Sequence, residues 1–133
     1  MPETFESAAY LLVFRDCLRR ARARTSALEI GKILIKWIEW HDSLEAQEKI
    51  RFRSAIAPEF RKIGGALGPS AESVRQEGVE QIVGYLLVNA ASFDEATEIA
   101  RGCPGLEHGF SVEVWRPFFP NSDLSDQQNN TLN

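Results

Sequence analysis

Residues 81–88, QIVGYLLV, form a continuous, β-rich apolar run of strand length. Ser92 follows closely as a helix cap, with Glu95 three positions on completing a capping box. A strand that hands over so quickly to a helix restricts the chain to folds in which helices cover a sheet. The second helix shows a narrow apolar stripe in Phe93, Ala96 and Ala100, and Gly102 and Pro104 are placed to stop it. Residues 111–116, SVEVWR, read as the last strand.

The first half repeats the theme. Residues 8–14, AAYLLVF, are apolar throughout and suit a strand buried on both faces. After an arginine-rich connection, Ser26 and Glu29 form another capping box. Ile30, Ile33, Leu34, Trp37, Ile38, Trp40 and Leu44 then recur at helical spacing, with Lys32, Lys36, Glu39 and Ser43 on the opposite side, which predicts an amphipathic helix reaching about Ala46. Residues 50–56 and 62–67 are weaker strand candidates separated by Pro58, and another lies near 71–75. Gly64, Gly65, Gly68 and Pro69 predict an irregular or bulged return to the hairpin.

This order is that of an α+β, ferredoxin-like βαββαβ protein, one antiparallel sheet with two helices on one face. The uncovered sheet face predicts a homodimer packed sheet against sheet. At 133 residues, 44% hydrophobic and 26% charged, the chain suits one globular domain over residues 1–120, and the polar run 121–133 is expected to be a disordered tail.

Charge and composition exclude several function classes. A net charge of −4 argues against a nucleic-acid binder. No apolar run is long enough to cross a membrane, and residues 1–9 carry two glutamates and no basic region of the kind a secretory signal needs. Cys17 and Cys103 are far apart and belong to no His/Cys cluster, so neither a disulfide, a metal nor a cofactor is expected, and a reducing cytoplasm is the expected location. Arg15, Arg19, Arg20, Arg22 and Arg24 stand against Asp16 alone in one short stretch. Such a run is ordinarily a solvated loop; the sharper reading is a lip that steers anions toward a cleft.

Specific stretches resemble a known family. These are Gly84-Tyr85-Leu86-Leu87-Val88, Ser92-Phe93-Asp94-Glu95-Ala96, Ala100-Arg101-Gly102-Cys103-Pro104 and Leu106-Glu107-His108-Gly109, running into Ser111-Val112-Glu113-Val114 and Arg116-Pro117. Together they resemble the YCII-related, or DGPF-domain, proteins. Trp37-Ile38-Glu39-Trp40 and Ala57-Pro58-Glu59 also fit, and the resemblance spans roughly residues 8–118. It implies a dimeric α+β barrel and little about chemistry. The chain departs from the family where the Asp-Gly-Pro-Phe signature should fall, since Glu72-Ser73-Val74-Arg75 stand there. Some relatives carry a histidine of a His–Asp pair near the start of the first helix, and residues 27–33 hold none. Trp115 looks inserted before Arg116-Pro117, which predicts a face switch or a bulge.

Among residues that could carry chemistry, His41 is the most informative. It falls on the inward stripe of the first helix, where desolvation lowers an imidazole's pKa and suits it to general-base work. The plainer reading is a core histidine satisfied by one partner. Asp42 points about 100° away from it, so a carboxylate partner has to come from elsewhere, for example from the sheet. Arg51 and Arg53 alternate on a strand and, on a cavity-lining face, would clamp a carboxylate or phosphate; otherwise they are an exposed edge. Tyr85 is a candidate ligand contact or a packing tyrosine. Trp37 and Trp40 read as core packing, and His108 beside Glu107 as a surface or dimer-edge histidine. Cys17, near arginines that favour thiolate, lacks an identifiable base.

The expected function is therefore a homodimeric protein that binds a small anionic or aromatic molecule between helices and sheet without catalysis, with His41, Arg53 and Tyr85 at the site. The alternative is an enzyme in which His41 moves a proton during isomerisation or elimination while Arg53 holds the anion.

Overall fold

The computed structural model describes residues 8–17, 26–76 and 80–117. They form β1 (Ala8–Cys17), α1 (Ala27–Ala46), β2 (Ile50–Ala55), β3 (Glu59–Ile63), β4 (Ala71–Arg75), β5 (Glu80–Ala90), α2 (Phe93–Arg101) and β6 (Ser111–Trp115). The main sheet runs β2-β5-β1-β6 with every neighbouring pair antiparallel. Two helices and an antiparallel sheet make this an α+β fold compatible with the ferredoxin-like arrangement. The tail and the arginines at positions 19, 20, 22 and 24 lie outside the described residues; Arg15 and Asp16 belong to β1 rather than to a connection.

Period-two alternation sorts β1 and β5 into two faces. Tyr10, Leu12 and Phe14 on β1 and Leu86, Val88 and Ala90 on β5 are buried with Leu44 of α1 and Ala96, Ile99 and Ala100 of α2. Leu12 and Leu86 are 0% exposed and lie opposite each other in the register. Removing either side chain to alanine therefore costs about 2–5 kcal/mol. The alternate residues Leu11, Val13, Tyr85 and Leu87, joined by Phe52 of β2 and Trp115 of β6, line the face away from both helices. Phe52 is 56% and Trp115 55% exposed, so among the described residues this is an apolar sheet face without cover. Arg15 and Glu113 form an ion pair of 2.8 Å on the same face.

Both caps form from the expected residues. Ser26 Oγ accepts from the Glu29 N–H at 3.3 Å and Ser92 Oγ from the Glu95 N–H at 3.0 Å, while Glu95 Oε1 accepts from the Ala91 N–H at 2.6 Å. Gly102 closes α2 with φ −80°, a right-handed rather than left-handed C-cap.

The middle of the chain differs from expectation. β2 joins the main sheet beside β5, and the hairpin is made instead by β3 and β4, a separate two-stranded sheet. Residues 65–67, expected to be strand, form a 3-10 turn, because Gly64, Gly65 and Gly68 all take positive φ and reverse the chain there. The residues at the place of the family signature, 72–75, lie within β4. Trp115 produces no bulge; β6 stays in register with β1 from Ser111 to Trp115, and the indole Nε1 donates to Glu113 Oε1 at 3.1 Å. The register breaks occur elsewhere, at Phe14/Arg15 against β5 and between Ile50 and Phe52.

Candidate functional site

A cavity of about 580 Å³ opens between α1 and the β2–β5 side of the sheet, within the size range of small-molecule sites. Its α1 wall carries Ile33, Leu34, Trp37, Ile38 and His41, and its sheet wall is made by β2 and β5 near Arg53 and Gly84. Phe14 and Phe110 close the inner end, their rings 5.1 and 5.5 Å from that of Trp37.

Close backbone approach builds this inner end. A Cβ on Gly105 would sit 2.8 Å from both Phe110 Cγ and Trp37 Cζ2, so only glycine lets the turn after α2 press against these rings. A Cβ on Gly84 would meet the Ser54 carbonyl at 2.9 Å, so the absent side chain allows β2 to lie where it holds Arg53.

His41 packs between aromatic rings, with centroids 5.9 Å from Trp37 and 5.5 Å from Trp40. Its Nε2 is buried and has no hydrogen-bond partner among the described residues. The imidazole is held below its ordinary pKa of 6.5, first by burial and then by the Arg53 charge; Asp42 and Glu45 oppose the shift. The charged group that the sheet brings toward His41 is thus a cation rather than the carboxylate sought from the sequence.

Arg53 lies opposite Leu86 in the β2–β5 register, on the helix side, and its Nη2 stands 3.8 Å from Glu45 Oε1. Both side chains are about half exposed, so the pair contributes at most about 1 kcal/mol and leaves the guanidinium able to exchange partners. Glu45 was missed in the sequence, although its place one turn after His41 puts it on the same helix flank. The shift between Ile50 and Phe52 interrupts the alternation expected for Arg51 and Arg53, and Arg53 but not Arg51 borders the cavity.

Tyr85 also borders the cavity, yet it alternates with the core residue Leu86, and its ring lies 5.9 Å from Phe52 of the uncovered face. His108 ends the turn Pro104–His108 and lies on another flank of α1, near Lys32 and Lys36. The Cys103 thiol is buried and pushed up to about 11 by that burial, which makes it a packing group rather than a nucleophile. The Cys17 side chain lies outside what is described. No group of three or more metal-ligating side chains occurs among the described residues, and no helix there is long and apolar enough to cross a membrane.

Compared with protein-family models and with curated proteins, the chain matches none.

Proposed function

We propose that this chain is a YCII-related homodimer that binds a small anionic or aromatic molecule in the cavity between α1 and the sheet, as a binding or regulatory protein rather than a catalyst. The observation that carries the reading is the cavity itself: an apolar, aromatic-walled space with one cation, Arg53, and one weakly basic imidazole, His41, at its edge. Sites for small molecules combine an apolar lining with a few placed polar groups.

The dimeric part rests on the uncovered sheet face. Leu11, Val13, Leu87, Phe52 and Trp115 make it apolar, and packing against a second copy would remove this surface from water. In that assembly two sheets would face one another as a dimeric α+β barrel.

The enzymatic alternative keeps one specific observation in its favour. His41 Nε2 is buried without a partner among the described residues, and a histidine held neutral can accept a proton. Against it, among the described residues no carboxylate is hydrogen-bonded to the imidazole to orient it; Asp42 and Glu45 act on it through their charge.

An NMR titration of His41 with and without a panel of small carboxylates and phenols tests the reading, with His108→Gln to assign the two signals. A His41 signal displaced by one class of compound, without turnover of that compound, supports a binding site. Turnover that is lost in His41→Gln supports the enzyme, and a signal indifferent to every compound overturns both.

A further inference from the structure

The cavity divides into two chemically different ends along α1. Ile30, Leu34 and Ile38 recur every four residues and form one ridge of the helix. Eight residues at 1.5 Å each make the ridge about 12 Å long. All three border the cavity and remain substantially exposed, Leu34 at 56% and Ile38 at 58%. His41 lies one turn beyond Ile38, and Arg53 stands on the strand wall at the same end.

At the polar end, the carboxylate nearest Arg53 holds it only loosely. Among the described residues, Arg53 pairs with Glu45 alone, at 3.8 Å and half in solvent, and His41 Nε2 is buried with no hydrogen-bond partner. An unsatisfied buried nitrogen costs about 1–3 kcal/mol, so an oxygen supplied by a ligand would recover stability there. One cation and one neutral donor match a single negative charge with two acceptor oxygens.

We propose that the cavity takes an amphipathic monocarboxylate, its carboxylate between Arg53 and His41 and its apolar body along the Ile30–Leu34–Ile38 ridge. This deepens the small-molecule reading above and rests on it. Three consequences separate it from a general apolar pocket. Affinity rises about fourfold with each methylene laid on the ridge. Glu45 competes with the ligand for Arg53, so Glu45→Gln strengthens binding. The bound carboxylate also stabilises the imidazolium, so His41 takes up protons more readily when the ligand is present. The charged groups around His41 that set this response are Arg53 from β2 and Asp42 and Glu45 from α1; its other neighbours are the rings of Trp37 and Trp40.

Calorimetry of the whole chain with decanoate, decanol, butyrate and phenol tests the proposal, with the His41 NMR signal as second readout. Decanoate is expected to bind more than tenfold tighter than decanol and more than a hundredfold tighter than butyrate. Arg53→Gln should bring decanoate down to the affinity of decanol, and Leu34→Gln should weaken both. Decanoate, but not decanol, should raise the His41 pKa. Equal binding of decanoate and decanol, or binding of phenol alone, overturns the carboxylate assignment while leaving a ligand-binding cavity. Absence of binding by all four, with the fold intact by circular dichroism, overturns the assignment together with the cavity reading beneath it.

Discussion

His41 on α1 and Arg53 on β2 border one cavity, and the arginine charge adds to burial in holding the imidazole toward its neutral form. Burial is the larger cause, because water is the main stabiliser of an imidazolium and the Trp37 and Trp40 rings replace part of it. Two residues distant in sequence thus share one electrostatic setting, and its consequences can be measured.

Removing the cation separates the two causes. Arg53→Gln should raise the His41 pKa toward the ordinary 6.5, leaving desolvation opposed by Asp42 and Glu45. NMR titration of the imidazole signal in the two proteins checks this; an unchanged value would mean that solvent screens Arg53 from the ring.

Stability should depend on pH in a stated direction. Because the folded pKa of His41 is depressed, the unfolded chain binds the proton first as pH falls below 6.5. The His41 contribution is constant above 6.5, declines between 6.5 and the folded value, and is level again below both. Urea midpoints on either side of 6.5 should show this decline, and His41→Gln should reduce it.

Gly105→Ala probes the inner end of the cavity. The new methyl would overlap Phe110 and Trp37, each 2.8 Å away, and relieving the clash should cost about 1–3 kcal/mol. Denaturant unfolding gives the loss, and Trp37 should report the shifted wall through its fluorescence.

The uncovered sheet face gives the oligomer prediction. Sedimentation should show twice the 15.0 kDa chain mass at micromolar concentration, and Phe52→Asp or Trp115→Glu should return a monomer with both helices retained. A wild-type chain that sediments at 15.0 kDa removes the dimer.

Much of the architecture was legible because it follows from local pattern. The Ser26 and Ser92 caps act within one turn of helix, and the apolar runs mark β1 and β5 as strands, although in β1 it is one face and not both that the helices bury. The middle segment was read less well, since it depends on which partner each strand finds. β2 pairs with β5, more than thirty residues away by the register Ser54↔Tyr85, while β3 and β4 pair with each other across the glycine turn. Composition does not distinguish these choices.

The sequence by itself determined the helix ends, the strands β1, β5 and β6 and the apolar side of α1 that carries His41, although Ile30, Leu34 and Ile38 on that side stay exposed. Tertiary structure alone decided which charge faces that histidine from the sheet. A break in the β2 register selected Arg53 over Arg51, and alternation along β5 set the Tyr85 ring beside Phe52. The physical reason is that helix periodicity and capping are short-range effects, whereas pairing register and the charge that the sheet brings to a half-buried ring arise between segments that meet only when the chain has folded.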